Sequence, residues 1–550
     1  MGKQGNRPCG GGALMKALTN SLAGTRTLVR LILRRDRIVL PLWIISLGIL
    51  PVAIANTLKD LYPTAAERQS YLDIITANPA LNALYGHAFG AGLGALTAWR
   101  LGGTVLLVGL ASLLTLIRHT RAEEAAGRRE LLGATVVGRQ APLFSALLFT
   151  FDASLLLGAV VSVSLIAYGL PVAGSMAFGL SWTVFGWAFA AVAAVAAQLT
   201  EGARAARGIS IAVLGLCFVL RAAGDAGGKD GLSWISWLSP FGWTQRVRPF
   251  ADERWWVFAL FLGLVAVLAA AAFALSARRD LGSGLLPARL GPAAGSPWLR
   301  NPLALAWRLQ RGTLLAWSAG FAVFGAILGG ITESAVKVTE DSPQIKTIAE
   351  RLGGSSGLAD AWFAAFMGLL GLVASGYAVG AALRLRGEEA DGCAEPVLAT
   401  AVSRVRWAGS HLAFAVLGPA VVLGVAGLAA GLIYGLTSGD VGRELPRVLG
   451  AAIVQLPAVW VLVGVTVALF GVLPRFVGSG SWAVLAACVL IEEFGRPLQL
   501  SKRLLDLSPF AHVPNLPGAE VSAAPLAWLS LIAANLIAAG LLGLRRRDVL

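Results

Sequence analysis

Charged residues are scarce in this sequence of 550 residues. Asp, Glu, Lys and Arg together make up 14% of the chain, whereas hydrophobic residues make up 56%. Soluble domains carry roughly 25% charged residues, and no soluble fold could cover so much apolar surface. The mean hydropathy of +0.72 points the same way. The composition therefore excludes a soluble protein and indicates a chain that crosses a membrane many times.

Cysteine and histidine are also rare, with four of each. Cys217 and Cys488 lie inside apolar runs, where cysteine behaves as a small hydrophobic residue. The remaining two, Cys9 and Cys393, lie in segments that we assign to the cytoplasm. These numbers and positions give no disulfide framework, and no Cys/His cluster predicts a metal site.

Motifs for chemistry of the chain's own are missing. The sequence has no Gly-x-x-x-x-Gly-Lys-Ser/Thr phosphate loop, because the nearest fragment, 227–230, reads Gly-Gly-Lys-Asp. It also has no Gly-x-Ser-x-Gly elbow and no His-Glu-x-x-His pair. We therefore expect no enzymatic activity and no cofactor on this chain. If ATP drives its function, the ATPase is a separate chain.

Long apolar segments are what the sequence does contain. A helix needs about 20 apolar residues to cross a bilayer, and such segments predict an all-α integral membrane protein with about twelve transmembrane helices. We number the predicted spans 1 to 12 in chain order: 38–58, 97–117, 143–168, 175–199, 208–222, 256–276, 313–332, 361–383, 409–436, 449–473, 481–495 and 525–544.

The distribution of positive charge predicts the orientation of these spans. With the N-terminus inside, the cytoplasmic stretches hold 29 Lys and Arg residues, against 16 on the other side. This bias favours cytoplasmic N- and C-termini. Arg outnumbers Lys 38 to 7 and Ala and Gly are abundant, which is typical of a high-GC bacterial genome, so we expect the membrane to be a bacterial plasma membrane. The charge bias also explains the net charge of +15, so we expect no nucleic-acid partner.

A 19-residue segment occurs twice, at a constant offset of 265 residues. Residues 121–139 read RAEEAAGRRELLGATVVGR, and residues 386–404 read RGEEADGCAEPVLATAVSR. Ten of the nineteen positions are identical. Both copies lie in the predicted cytoplasmic loop that joins the second and third spans of a six-span set. The repeat indicates an internal duplication.

Two shorter repeats support the duplication. Leu-Ser-Pro-Phe at 238–241 recurs at 507–510, and Arg-Arg-Asp at 278–280 recurs at 546–548. We therefore divide the chain into an N-terminal tail with a basic segment (1–37), a first six-span half (38–280), a Gly/Pro-rich linker (281–299) and a second six-span half (300–550). Parallel repeats of this kind predict halves related by a pseudo-two-fold axis along the membrane normal.

The repeated loop carries carboxylates at matching positions. A solvated surface helix would explain one copy, but the same spacing in both halves favours two docking sites for copies of one soluble partner. Basic groups of the partner would meet the carboxylates, and the glycines would allow close backbone approach. The predicted docking residues are Glu123, Glu124, Gly127 and Glu130 in the first copy and Glu388, Glu389, Gly392 and Glu395 in the second.

With these repeats the sequence resembles the ABC-2-type exporter permeases. It is most similar to the fused twelve-span permeases of actinobacteria, of the polyketide-antibiotic or tetronasin-resistance exporter type. The resemblance extends over about residues 25–550. It rests on the two six-span halves, the duplicated Glu-Glu-x-x-Gly-x-x-Glu-x-x-x-Ala-Thr loop and the repeated Leu-Ser-Pro-Phe.

This resemblance implies functional roles for two parts of each half. The loops 121–135 and 386–400 would be coupling helices, each seated on one subunit of a separate ATPase that binds ATP and Mg²⁺. Pro396 stands where the first copy has Leu131, so the two docking sites are not identical. The segments 225–254 and 496–524 would be extracellular re-entrant elements, containing Ser239, Pro240, Phe241, Ser508, Pro509 and Phe510.

Few ionisable residues lie within or at the ends of the spans. Asp152 lies about ten residues into span 3, and an intramembrane carboxylate suggests a functional site, although it also suits a helix-packing role. Arg221 ends span 5, and the repeat aligns it with Glu492 in span 11, next to Glu493. Opposite charges at these matching places would close an extracellular gate as an ion pair or mark the membrane surface.

The expected function is that of the membrane subunit of an ATP-driven exporter. Two ATPase copies would power release of hydrophobic or amphipathic compounds, such as antibiotics, from the lipid-embedded permease to the outside. A first alternative is a proton-coupled secondary drug transporter with Asp152 as the proton carrier. A second is a membrane enzyme acting on lipids, for which only Glu492 and Glu493 come close to a carboxylate pair.

Overall fold

Helices are the only regular structure in the part of the chain that the structure describes. This structure is a computed structural model, and it describes residues 21–76, 81–82, 85–128, 136–226, 234–280, 282–285, 296–340, 354–494 and 501–547. The chain forms two compact units, Met1–Gly291 and Pro292–Leu550. The predicted all-α membrane fold is confirmed.

The first unit begins with a short amphipathic helix that leads into span 1. Its α-helices are Thr25–Arg35, Val39–Leu61, Ala65–Thr76, Leu93–Arg100, Val105–His119, Arg121–Ala125, Ala141–Ala167, Val172–Leu199, Ala203–Ala226, Pro240–Arg246 and Val257–Arg278, with a 3-10 turn at Ile235–Leu238.

The second unit repeats the order of the six spans. Its α-helices are Pro302–Glu340, Gly354–Ala382, Arg384–Ala390, Ala394–Leu398, Arg404–Ser438, Val441–Ile453, Leu456–Val472, Val477–Phe494, Lys502–Leu505 and Ala523–Arg546, with 3-10 turns at Pro297–Arg300 and Pro509–His512.

Every predicted span falls on a helix. Within the described residues, eleven helices are long and apolar enough to cross a membrane, and the apolar helix Val477–Glu492 of span 11 is shorter. From here on, spans 1 to 12 denote these helices. The structure differs from the prediction in the length of span 7, which reaches from Pro302 to Glu340, because the amphipathic segment before the apolar run is helical as well.

Spans 2 and 10 are each interrupted, which the sequence analysis did not predict. Span 2 breaks at 101–104, where a Cβ on Gly102 would lie 2.2 Å from the carbonyl oxygen of Tyr85. Glycine is needed there because the loop that contains Tyr85 approaches the span so closely. Span 10 breaks at Val454 and Gln455. Pro457 follows directly and has no backbone N–H, so it cannot donate the helical hydrogen bond to the preceding turn.

Small residues bring the spans together within each unit. In the first unit, the Cβ that an alanine would have at Gly158 of span 3 would lie 2.4 Å from the carbonyl oxygen of Gly179 in span 4. Tryptophan adds a hydrogen bond between the same pair of spans in both units: the Trp187 indole donates to the Phe151 carbonyl and the Trp460 indole to the Val416 carbonyl, each at 2.9 Å. Membrane helices associate through such close packing and interhelical hydrogen bonds.

Candidate functional site

The duplicated loop folds in the same way at its start in both units. Its helix, Arg121–Ala125 in the first unit and Arg384–Ala390 in the second, follows almost directly on span 2 or span 8. Each helix is closed by a glycine in the left-handed region, with φ of 70° at Gly127 and 69° at Gly392. A glycine in this conformation is a common helix stop. Within the described residues a Cβ would meet nothing within 4 Å at either position, so the close approach of a partner at these glycines stays a prediction.

Glu124 of the first loop is buried in an ion-pair network of its own unit. Its side chain is only 3% exposed. Arg279, at the end of span 6, donates from Nη1 and Nη2 to the two carboxylate oxygens at 2.7 and 2.8 Å. Arg121 lies 3.0 Å away, and the backbone N–H of Gly282 donates at 2.8 Å. The carboxylate is therefore held by two arginines and one amide.

Glu389 of the second loop repeats this arrangement. Nη2 of Arg547, at the end of span 12, donates to both carboxylate oxygens at 2.5 and 2.6 Å. Arg386, the counterpart of Arg121, lies 3.6 Å from the same carboxylate. The Glu389 side chain is 5% exposed. Each half thus ties its loop helix to the end of its last span through a buried Glu–Arg pair.

A third duplicated residue completes each network. Arg139, the last residue of the first repeat segment, donates from Nη2 to the main-chain carbonyl of Arg279 at 2.9 Å. Arg404, the last residue of the second copy, donates from Nη1 to the main-chain carbonyl of Arg547 at 2.6 Å. We call each set a clamp: Arg121, Glu124, Arg139 and Arg279 form the first, and Arg386, Glu389, Arg404 and Arg547 form the second. Three of the ten identical positions in the repeat belong to these clamps.

The clamps correct one part of the docking prediction. Glu124 and Glu389 face the interior of their own units and are already neutralised, so they are not exposed contact groups for a partner. The sequence did contain the relevant signal, because the Arg-Arg-Asp repeat at 278–280 and 546–548 supplies the two clamp arginines. Nothing in the sequence linked that repeat to the loop, which lies more than 150 residues away in each half.

The other predicted docking residues lie closer to the surface. Glu123 is partly buried and pairs with Arg35 and Arg128, and Glu388 pairs with Arg384 at 2.7 Å. Glu395 is exposed at the start of the second short loop helix, Ala394–Leu398. Its counterpart Glu130 lies outside the described residues.

The repeated Ser-Pro-Phe starts a helical turn in both units. The hydroxyl of Ser239 accepts from the N–H of Phe241 at 3.1 Å, and that of Ser508 accepts from the N–H of Phe510 at 3.3 Å. Serine at the N-cap and proline at the first helical position are favoured at helix starts, here Pro240 and Pro509. Both phenylalanine rings are buried. A re-entrant path of these segments through the membrane stays a prediction.

Arg221 is packed inside the first unit. Its side chain is fully buried, lies 3.7 Å from Asp225, and packs its guanidinium on the rings of Phe218 and Phe241 at 4.8 and 5.0 Å. The carboxylate of Asp225 also lies 3.9 Å from His87, and burial lowers the pKa of that histidine, an effect that Asp225 opposes. Arg221 thus has an ion-pair partner in its own half, and the gate role predicted for it stays a prediction.

The carboxylates predicted for a pathway have different surroundings. Asp152 is exposed at the surface of span 3. Glu492 is partly buried near the end of span 11, and its Oε1 atom is buried without a hydrogen-bond partner in the described part of the chain. The side chain of Glu493 is not among those described. The roles predicted for Asp152 and Glu492 stay predictions.

Comparison with known proteins places these features in a family. The family model described as "Multidrug efflux system permease Rv1217c, C-terminal domain" matches residues 26–275 and 299–545, one segment in each half. The predicted duplication is thereby confirmed. A multidrug efflux system permease protein, Rv1217c of Mycobacterium tuberculosis, is 45% identical over 531 residues, which cover 96% of each chain. The chain therefore belongs to the family of multidrug efflux system permeases typified by Rv1217c, and it is a multi-pass membrane protein.

Proposed function

We propose that this chain is the membrane-spanning subunit of an ATP-driven, ABC-2-type exporter for hydrophobic or amphipathic compounds. Two copies of a separate ATPase, which bind ATP and Mg²⁺, would dock on the two duplicated loops at the cytoplasmic face of a bacterial plasma membrane. The name of the Mycobacterium tuberculosis relative supports the export of drugs. The resemblance to the fused actinobacterial antibiotic exporters supports the ATPase partner.

The observation that carries the proposal is the clamp in each half. An ATPase that moves a loop helix needs a stiff connection from that helix to the membrane spans. Charge-assisted hydrogen bonds between Glu and Arg are short and strong, and breaking a buried pair by removing a partner costs about 3–5 kcal/mol. Each clamp thus gives the loop a firm attachment to span 6 or span 12, in addition to its chain connection to the second span of the half.

The docking surface is then the exposed part of the loops. In the first loop this includes Ala125, Ala126 and Arg128, and in the second Asp391, Gly392 and Glu395. The two surfaces differ in charge, since Arg128 aligns with Cys393. Two identical ATPase subunits would therefore bind the two loops with different strength.

Co-purification in nanodiscs with the ATPase encoded beside the permease tests the proposal. We expect the wild type to retain two ATPase copies and the double variant Arg128→Glu/Glu395→Arg to lose them without a loss of thermal stability. The matched control is the double variant Arg503→Glu/Glu520→Arg, which reverses exposed charges on the predicted extracellular side and should bind the ATPase normally. A wild type that recruits no ATPase would overturn the proposal.

A second candidate function rests on Asp152. Its carboxylate is exposed on a span that is otherwise apolar, and such a residue suits the proton carrier of a secondary transporter. Drug movement driven by a proton gradient in the absence of ATP, and lost in Asp152→Asn, would establish this candidate in place of the first.

A further inference from the structure

A cavity of about 570 Å³ lies inside the second unit. Span 8 forms one wall, and the opposite side is formed by Gln455 at the break of span 10, Glu492 of span 11 and Phe510 with the residues that follow it. Its volume is within the range of roughly 300–1,000 Å³ that small-molecule sites occupy. All the described lining residues belong to the second unit.

Small side chains on span 8 create the space. The residues of span 8 that line the cavity are glycine and alanine in the first part of the helix and leucine further along it. They are Gly357, Ala361, Ala364, Ala365, Gly368, Leu369 and Leu372. From residue 357 to residue 372 a helix rises about 22 Å at 1.5 Å per residue. The cavity therefore extends from the predicted outer end of span 8 to near the middle of the bilayer.

Glu492 is the one charged side chain among the described lining residues. Its Oε1 atom is buried and has no hydrogen-bond partner within the described ranges. Other acidic residues at this end of the unit are already paired: Arg447 donates to both carboxylate oxygens of Asp360 at 2.7 and 2.8 Å, and to those of Glu444 at 3.0 Å. A buried carboxylate without a partner is unfavourable, and a bound cation would relieve this cost.

The first unit fills the corresponding place with its own side chains. There Arg221 is paired with Asp225 and stacked on Phe241, the counterpart of Phe510. At the offset of 265 residues, Trp99 occupies the position of Ala364, and its buried indole donates to the Gly86 carbonyl at 2.8 Å. The cavity beside Trp99 measures only about 40 Å³. The duplication has thus kept the site open in one half and closed it in the other.

We infer that the cavity of the second unit binds an amphipathic organic cation, with Glu492 as its counter-ion. The carboxylate would face the positive group, the Phe510 ring offers a cation–π surface, and the Gln455 amide supplies a hydrogen bond. The glycine and alanine face of span 8 would accommodate the apolar body. The inference rests on the proposed export function, for which it names the class of substrate.

Binding of tetraphenylphosphonium to the purified permease, without ATPase, tests this inference. The measurement is isothermal titration in nanodiscs, with empty nanodiscs subtracted and tetraphenylborate as the anion of the same shape. We expect the cation to bind and Glu492→Gln to raise its Kd at least about tenfold, as for the loss of a hydrogen-bonded charge. Glu492→Asp should keep most of the affinity. Glu520→Gln, an exposed carboxylate next to the lining residue Ala519, should change it less than about twofold.

A second variant tests the cavity independently of charge. Ala364→Trp introduces the residue that the first unit has at this position and should abolish phosphonium binding while the thermal stability stays near that of the wild type. Equal binding of the cation and the anion, or an unchanged Kd in Glu492→Gln, would overturn the inference. Phosphonium binding that depends on Glu492, without any ATPase recruitment, would support the cation site and refute the ATP-driven exporter. ATPase recruitment with no phosphonium binding would support the ATP-driven exporter and refute the cation site.

Discussion

Glu124 and Arg279 form a buried bidentate ion pair although 155 residues separate them in the sequence. Glu389 and Arg547 form its counterpart in the second half. The pairs join the ends of segments that are far apart in the chain but belong to the same half. Their presence in both halves indicates that the attachment of the loop to the last span is a property of the ancestral six-span unit.

Removal of one clamp partner should strongly destabilise its half. Glu124→Gln leaves the guanidinium of Arg279 buried without its counter-ion, and such losses cost about 3–5 kcal/mol. Thermal unfolding in nanodiscs should show a clear drop in Tm for Glu124→Gln and for Glu389→Gln. The matched control is Glu123→Gln, whose more exposed pairs with Arg35 and Arg128 contribute at most about 1 kcal/mol. A Tm for Glu124→Gln equal to that of the control would contradict the clamp.

The clamps should also be needed for coupling. If they transmit the movement of the ATPase, conservative variants that keep the charge but weaken the contact with the carboxylate will still recruit the ATPase. Arg279→Lys and Arg547→Lys fit this purpose, because lysine keeps the charge but lacks the planar guanidinium that makes these contacts. We expect unchanged co-purification and a higher number of ATP molecules hydrolysed per molecule transported in proteoliposomes. An unchanged ratio in both variants would show that the movement passes through other contacts.

Sequence reasoning found the twelve helical segments, since apolar length is a property of each segment alone. It also found the duplication, because identical residues at a constant offset need no structure. It did not find where Glu124, Glu389 and Arg221 point. Burial of a charged residue depends on a partner elsewhere in the chain, and neither the charge nor its spacing in the loop reveals that partner. The break in span 2 was missed for the same reason, since Gly102 is explained only by the approach of Tyr85. The break in span 10 is different, because Pro457 lies next to it in the sequence.

The two Ser-Pro-Phe starts should differ in stability although their sequences are the same. Besides capping Phe241, the Ser239 hydroxyl donates to the Cys217 carbonyl of span 5 at 2.7 Å. For Ser508 the structure gives only the cap to Phe510. Loss of an N-cap costs about 1 kcal/mol, and loss of the second bond adds about another 1 kcal/mol. Ser239→Ala should therefore lower Tm more than Ser508→Ala, and the opposite order would contradict the difference between the two starts.

Glycines at the crossing of spans 10 and 12 should tolerate no side chain. A Cβ on Gly471 would lie 2.0 Å from the carbonyl oxygen of Gly540, and one on Gly540 would lie 2.3 Å from that of Val467. Because the obstacle is backbone, Gly540→Ala must push the helices apart, and we expect a loss of stability of about 1–3 kcal/mol. Gly263→Ala in span 6, where a Cβ would meet nothing within 4 Å, is the control and should leave Tm unchanged or slightly raised. Similar Tm values for the two variants would refute this packing.

Substitution of Asp152 distinguishes ATP hydrolysis from a proton gradient as the energy source for transport. If ATP drives export, neutralising this carboxylate should change the transport rate less than about twofold, as expected for an exposed residue outside the clamps and the docking loops. Proteoliposomes containing the permease and its ATPase provide the measurement, with tetraphenylphosphonium as substrate and either ATP or an imposed pH gradient as the driving force. We expect transport with ATP in both the wild type and Asp152→Asn, and none with the pH gradient alone. A proton-driven flux that Asp152→Asn abolishes would instead make this carboxylate the centre of the mechanism, because the proton would then need a titratable group within the span.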